Sequence, residues 1–265
     1  MSDKITRRLF VSSMGAASIA SASALLGPPD AAAGEPVGSQ QVDSPQVDSQ
    51  RGGSAAPENL KPTYTFFNAA EAQFIEAACD RLIPADELGP GALGAWVPNY
   101  LDKQLGGAWG NGERLYRSGP WIAGTPSQGY QLPFTPAELF RAALGAINRS
   151  LRARGSPFSD LSPESQDDYL RTLAKGGPDL DLDGVPSEVF FDLLLKMTVE
   201  GFFSDPAYGG NRDMVAWRMI GFPGAYADYY DAVDRHGVKF DREPMSLAED
   251  SRGHLHADPN IPAHL

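Results

Sequence analysis

Helix-start signals recur between residues 63 and 244, and they constrain the fold of this chain more than any other feature. Each consists of a residue whose side chain can cap a helix, followed closely by proline or an acid. The signals are Asn68 with Glu71, Thr135 with Pro136 and Glu138, and Ser162 with Pro163 and Glu164, and Ser187 is a further capping residue. With the apolar spacing after them, they predict helices from Asn68 to Pro84, Thr135 to Gly155 and Ser162 to Gly176, and a strongly apolar helix from Val189 to Phe203 that Ser187 caps. A last helix is predicted from about Ala225 to His236, with Gly237 past its end.

Long irregular stretches separate these helices, and alternating strand patterns are scarce. The chain contains 28 glycines and 22 prolines, which fits a large share of loop. The irregular stretches run from Asp86 to Ala92, Gly106 to Pro133, Gly176 to Pro186 and Ser204 to Asn211. The predicted fold class is therefore mainly α, a single irregular helical domain with long loops. Loops of this length in a compact domain are more often functional or ordered by a partner than idle.

The first 33 residues have the pattern of an export signal. Arg7 and Arg8 stand together before Leu9-Phe10, a weakly apolar run follows, and Ala31-Ala32-Ala33 offers a small-residue cleavage site. A membrane anchor needs about 20 mostly apolar residues, and the serines of this run make it too polar. An ordinary secretory signal is the other alternative, but the paired arginines favour the twin-arginine route. We therefore expect a periplasmic protein with residues 1–33 removed and no direct membrane span.

Composition divides the rest of the chain into three parts. Residues 34–62 are rich in Gly, Ser, Gln and Pro, lack aromatic residues, and repeat Gln-Val-Asp-Ser, so they predict a disordered tether. Residues 63–245 are long enough for one domain with its own core. Residues 246–265 are polar and broken by proline, and they predict a flexible tail.

Charge and cysteine content exclude several classes of function. The formal net charge is −12 and no basic stripe is present, so nucleic acids and anionic membrane surfaces are poor partners. The single cysteine, Cys79, excludes an intramolecular disulfide, a self-contained iron–sulfur cluster and a covalent haem site. Cys79 lies within an apolar helical pattern, so we interpret it as a small core residue.

Motifs for catalysis by this chain alone are weak. Neither a nucleophile elbow nor a glycine-rich phosphate loop appears in the sequence. Alternating acids in the segment before Gly184 resemble the start of a calcium loop, but position 190 is Phe where that loop needs Glu. Solvated turn acids are the better interpretation of these residues, which are Asp179, Asp181 and Asp183. His254 and His256 form a weak metal pair in the tail, of a kind that is usually incidental.

One segment carries a resemblance to a known family. Its specific part is Asp205-Pro206-Ala207-Tyr208-Gly209-Gly210-Asn211, which follows the apolar helix and precedes Trp217 and the stretch Ile220-Gly221-Phe222-Pro223-Gly224. Weaker support comes from Leu82-Ile83-Pro84-Ala85-Asp86 and Pro90-Gly91-Ala92. Together these residues resemble the small subunit of gluconate 2-dehydrogenase, also called subunit 3. The small subunits of fructose and sorbitol dehydrogenases look similar, and the resemblance covers most of residues 66–235.

The resemblance implies a non-catalytic accessory subunit without a cofactor of its own. In that family a large flavin (FAD) subunit oxidises the sugar or sugar acid, and a multihaem cytochrome c subunit passes electrons to membrane quinone. The small subunit carries the twin-arginine signal and is thought to take the flavin subunit, which has none, across the membrane. The complex would then lie at the outer face of the cytoplasmic membrane. This chain departs from the family in its tether at 34–62 and in its histidine-bearing tail.

The Asp205–Asn211 turn can be interpreted in two ways. It is a candidate partner interface, formed by Asp205, Pro206, Tyr208, Gly209, Gly210, Asn211 and Trp217. It can equally be an internal turn that closes the apolar helix onto Trp217, since proline and glycine favour stiff turns. For the whole protein, the alternative to an accessory subunit is a free-standing periplasmic enzyme, built on the Asp179–Asp183 acids, or a ligand-binding protein.

Overall fold

A computed structural model describes residues 62–122, 124–176, 181–226, 233–238 and 242–247. The predicted export signal and almost all of the predicted tether lie outside these ranges. The helices are α1 (Ala69–Leu82), α2 (Gly91–Gly94), α3 (Val97–Gly106), α4 (Pro136–Ala153), α5 (Pro163–Lys175), α6 (Ser187–Phe203) and α7 (Val215–Ile220). A two-stranded hairpin pairs β1 (Asp181–Leu182) with β2 (Val185–Pro186) in antiparallel register. The prediction of a mainly α fold is confirmed for the described residues.

Helices α1 and α4 begin where the sequence predicts, because their caps are complete. The Asn68 side chain accepts the backbone N–H groups of Ala70 and Glu71, and the Glu71 carboxylate accepts the Asn68 N–H at 2.9 Å. Thr135 and Glu138 make the same reciprocal pair at the start of α4. Each such cap stabilises its helix by about 1 kcal/mol.

Ser187 does not cap α6, which corrects one prediction. The cap position belongs to Pro186, and Ser187 is the first helical residue, with its hydroxyl buried and unpaired in the described structure. The hairpin explains the difference, because β2 ends at Pro186 and delivers the chain directly into the helix.

Helix α6 lies at the centre of the core and packs against α3, α4 and α5. Phe190 is fully buried, with ring centroids 5.2 Å from Phe140 and 6.3 Å from Phe74. The burial of each such ring stabilises the fold by about 2 kcal/mol. The outer side of α6 is polar, with exposed charged residues at four-residue spacing: Glu188, Asp192, Lys196 and Glu200. The helix is therefore buried on one side within its own domain.

Helices α2 and α3 have weak sequence signals, since no side chain caps either of them and Pro98, in the first turn of α3, is the helix-start residue that α3 offers. The residue before α3 is Trp96, which adopts a left-handed backbone (φ 59°) and makes no side-chain cap. Aromatic residues rarely take this conformation, so nothing at this position predicts a helix start. Half of the predicted last helix, residues 227–232, lies outside the described residues, and the residues on either side of that half, 225–226 and 233–236, are not helical.

A buried carboxylate fixes the entry of the chain into the domain. Asp102 of α3 accepts the backbone N–H groups of Thr65, Phe66 and Phe67 at 2.8–2.9 Å and the Thr65 hydroxyl at 3.0 Å. Asp102 is almost completely buried, so these donors replace the water that its charge would otherwise require.

Within the described residues, no helix is long and apolar enough to cross a membrane.

Candidate functional site: the Asp205–Asn211 turn and the exposed surface

The Asp205–Asn211 turn leaves α6 through a short 3-10 helix at Pro206–Tyr208. Asp205 caps it by accepting the Ala207 N–H at 2.9 Å. Gly209 then adopts φ 91°, which suits glycine, and Asn211 adopts φ 45°, which asparagine tolerates better than most residues. The structure confirms a turn in which Asp205 binds nearby backbone. Gly209 adopts a positive φ, whereas Gly210 does not.

Asn211 joins the end of α6 to the start of α7. Its side-chain amide donates to the Ser204 carbonyl at 2.9 Å, and its side-chain oxygen accepts the Ala216 N–H at 2.9 Å. The residue is fully buried. A partner could therefore not reach this side chain, and its hydrogen bonds serve the internal structure of the domain.

The two glycines of the turn allow close approach to α6 and α3. A Cβ at Gly210 would lie 2.2 Å from the Gly201 carbonyl oxygen, and a Cβ at Gly209 would lie 2.9 Å from the Asn99 side-chain nitrogen. That same Asn99 nitrogen donates to the Gly209 carbonyl at 2.8 Å. Neither glycine has room for a side chain, so both are explained by packing.

Asp205 also holds a segment near the C-terminal end, residues 242–247, against the domain. Its carboxylate accepts the Ser246 hydroxyl at 2.6 Å and the Leu247 N–H at 2.8 Å. Met245 pairs with Gly224 in a parallel bridge just before these contacts. Ser246 is almost completely buried. The first two residues of the predicted tail, Ser246 and Leu247, therefore contact a buried acid of the domain.

Trp217 is an internal residue rather than a surface anchor. Its indole N–H donates to the Phe203 carbonyl at 2.8 Å, which satisfies one of the free carbonyls at the end of α6. Its ring packs edge-on against Phe222 with centroids 5.1 Å apart, and only 6% of the residue is exposed. This arrangement matches the interpretation in which the turn closes α6 onto Trp217.

Tyr208 is the member of the seven-residue set that the turn presents to solvent. It is 53% exposed, whereas Asp205, Gly209, Gly210, Asn211 and Trp217 are buried and Pro206 is half-buried. The structure brings all seven together, but it gives most of them internal contacts. A role of this turn in partner binding stays a prediction, and it depends on Tyr208.

Alanine substitutions at Tyr208 and Asn211 should separate the two roles of the turn. We expect Asn211→Ala to lower the free energy of unfolding by about 2 kcal/mol, because two buried backbone groups lose their partners. Tyr208→Ala should change it by less than about 0.5 kcal/mol, because half of the side chain is in water. Thermal melting of both variants measures this, and a Tyr208→Ala loss as large as that of Asn211→Ala would contradict the assignment.

Two titratable residues that the sequence analysis discussed, Cys79 and Asp183, have partners within the domain. Cys79 is fully buried beside the Thr198 hydroxyl, and burial raises the pKa of its thiol to about 12, so it stays protonated. Asp183 lies in the hairpin turn and forms an ion pair with Arg149, as expected of a solvated turn acid. Among the described residues no group of three His, Cys, Asp or Glu side chains could hold a metal ion. Asp179, His254 and His256 lie outside those residues.

Exposed apolar side chains concentrate in the long loop between α3 and α4, residues 107–135. Tyr116 is 81% exposed and Ile122 is 68% exposed. The other large apolar residues exposed in this loop are Trp109, Leu115, Trp121 and Tyr130. Sequence reasoning identified the loop as a long irregular stretch but named none of these residues as a site. The sequence feature that could have indicated these residues is the aromatic content of a segment with no helical or strand periodicity.

Comparison with known protein families identifies the family of this helical domain. Residues 69–224, well over half of the chain, match the family model of gluconate 2-dehydrogenase subunit 3. The chain belongs to the gluconate 2-dehydrogenase subunit 3 family. That family is named for a subunit of a dehydrogenase complex. No curated protein and no solved structure matches the chain.

The region shared with gluconate 2-dehydrogenase subunit 3 contains α1 to α7, the Asp205–Asn211 turn and the exposed loop. The segment 242–247 lies beyond it, although Asp205 binds that segment directly. The turn therefore has two structural duties: it closes α6 within the family domain, and it anchors chain that follows the family domain.

Proposed function

We propose that this chain is a non-catalytic, partner-binding subunit of a periplasmic flavin-dependent dehydrogenase complex of the gluconate 2-dehydrogenase type. The main support for this proposal is the match of residues 69–224 to subunit 3 of that enzyme. In this role the chain binds a large subunit that holds FAD and performs the oxidation. A multihaem cytochrome c subunit completes the complex at the outer face of the cytoplasmic membrane.

The shape of the surface supports a binding role. The larger recess, about 610 Å³, is an open basin beside α4. The smaller, about 240 Å³, lies between α3 and α6 and is lined by Tyr100, Lys196 and Glu200 among others. Small-molecule sites are usually enclosed pockets of about 300–1,000 Å³ with convergent polar groups. The first recess has the volume of such a site and charged residues in its lining, but it is open to solvent, and the second is smaller than that range. The exposed aromatic loop, by contrast, has the composition of an interface.

Export is the second part of the proposal. The twin-arginine route carries folded proteins, so a chain with this signal can take a bound partner through with it. Residues 1–33 supply the predicted signal, and Arg7 and Arg8 are the residues read by the receptor. The chain would bind the flavin subunit in the cytoplasm and carry it to the periplasm.

Replacing both arginines by lysine tests the export proposal. Lysine keeps the charge but lacks the planar fork of guanidinium donors, so we expect Arg7→Lys with Arg8→Lys to leave both this chain and the dehydrogenase activity in the cytoplasm. Fractionation of periplasm and cytoplasm, followed by immunoblot and a dye-reduction assay, measures this.

The matched control is Lys4→Arg, which changes a basic residue of the same segment outside the pair and should leave export normal. Normal export of the double variant would contradict the signal assignment. Retention of this chain with activity still in the periplasm would contradict the carrier role alone.

A further inference from the structure

The exposed loop contains a segment, described at residues 114–122 and 124–130, that we name the arm. Its base is fixed to the domain by a backbone hydrogen bond from Ala137 N–H to the Gly110 carbonyl at 3.0 Å. Arg117 adds an ion pair to Glu138 at 3.2 Å, near the first turn of α4. Because these contacts join the two ends of the loop, the arm stays attached to the domain while its own side chains face solvent.

The second half of the arm has local contacts, because Thr125 and Gln128 cap a short 3-10 turn and the Tyr130 hydroxyl donates to the Phe134 carbonyl at 2.7 Å. The first half has fewer. Within residues 116–122, the described backbone groups make no hydrogen bond to the rest of the domain. Tyr116 and Ile122 are exposed over most of their surface, and Trp121 is 40% exposed. Large apolar side chains gain free energy when a partner removes them from water, at about 25 cal/mol per Å². Burial of these side chains by a partner would therefore contribute favourable free energy to binding.

The charge of the arm is opposite to that of the chain. Arg114 and Arg117 are the charged residues within the arm, in a chain of net charge −12. Glu113 directly precedes the arm and Glu138 pairs with Arg117, so the attraction of the arm for carboxylates depends mainly on Arg114. A surface bearing carboxylates would be attracted to the arm. Tyr, Trp and Arg together are the residues most enriched among those that dominate binding energy at protein interfaces.

We propose that the arm is the docking element for the dehydrogenase subunit, and that the surface receiving it is an apolar groove edged by carboxylates. This inference rests on the proposed function. The open basin at the base of the arm, lined by Phe134, Ala137 and Ala142 among others, continues the same surface toward α4. A bound partner would cover the arm and the basin together.

An anionic membrane is the competing occupant, and charge argues against it. Two arginines near an anionic surface provide only a weak attraction. The remaining acidic residues of the chain would be brought toward the same negative surface and repelled. A protein groove can instead offer carboxylates to the arm without approaching the acidic remainder of the chain.

Binding of the full chain to the flavoprotein that co-purifies with it tests the proposal. We expect Trp121→Ser with Ile122→Ser to weaken the affinity by at least about tenfold. Arg114→Glu should also weaken it and should reduce its dependence on salt. The midpoint of thermal unfolding should stay within about 2 °C of the wild type, because these side chains make few internal contacts.

Matched controls lie on other parts of the domain. Ile220→Ser removes an exposed apolar residue in α7, and Arg152→Glu reverses an exposed charge at the end of α4; both should leave the affinity unchanged. Unchanged affinity in the arm variants, or tighter binding by Arg114→Glu, would overturn the proposal. So would binding of the chain to phosphatidylglycerol vesicles that these variants abolish while the complex stays intact. If the wild-type chain binds no flavoprotein, the proposed function itself fails.

Discussion

Gly210→Ala should lower the free energy of unfolding of the domain by about 3 kcal/mol. The added methyl group would lie 2.2 Å from the Gly201 carbonyl oxygen and 2.8 Å from the Ser204 hydroxyl. Backbone at the end of α6 cannot move aside without disturbing the Asn211 and Trp217 hydrogen bonds around it. For a domain of this size the midpoint of thermal unfolding should fall by roughly 6–12 °C.

Gly145→Ala is the matched control, and its effect should have the opposite sign. Gly145 lies within α4, and a Cβ there meets only the flexible end of Arg149, at 3.3 Å. Alanine favours a helix interior over glycine by about 0.5–1 kcal/mol, so this variant should be more stable than the wild type. Destabilisation of both variants to a similar degree would show that the close contact at Gly210 is not the cause.

Asp205→Ala should release residues 246–247 from the domain and lower the free energy of unfolding by about 2–3 kcal/mol. The substitution removes three hydrogen bonds to a buried carboxylate, from Ala207, Ser246 and Leu247, and such charge-assisted bonds are stronger than neutral ones. Carboxypeptidase digestion of the full chain should then proceed past Leu247 faster than in the wild type.

Ser246→Ala provides the comparison, because it removes one of the three bonds and leaves the carboxylate in place. Its cost should be about 1 kcal/mol. Asp205→Ala and Ser246→Ala would have equal effects if the contact with Ser246 alone mattered. Equal effects, or unchanged digestion in Asp205→Ala, would contradict the anchoring role of Asp205.

Those parts of the fold that depend on local chemistry were predictable from the sequence. The reciprocal caps at Asn68 and Thr135 fix the starts of α1 and α4 through residues three positions apart. Helix α3 was missed because its start depends on a left-handed tryptophan that tertiary packing holds in place. Ser187 was misassigned because a two-residue strand, too short to give a periodic pattern, precedes it.

The candidate site shows the same division. The turn geometry at Asp205–Tyr208 follows from local residues, because Asp205 caps the Ala207 N–H and Pro206 begins the 3-10 helix, and the sequence predicted a turn there. The contact from Asp205 to Ser246 joins residues 41 positions apart, and no local pattern reports such a distance. Burial of Asn211 and exposure of the arm depend likewise on how the helices pack. Composition could indicate that the loop between α3 and α4 was unusual, but not which side chains it presents.

Purification of the full chain from its own host, compared with the chain expressed alone, tests the central claim most directly. We expect a flavin-bearing dehydrogenase to elute with the host-derived chain in equimolar amount and to reduce an artificial electron acceptor. The chain expressed alone should show no flavin or haem absorbance and no turnover with sugars or sugar acids. Turnover by the chain alone, or elution of the host-derived chain without a flavoprotein, would contradict its assignment as an accessory subunit.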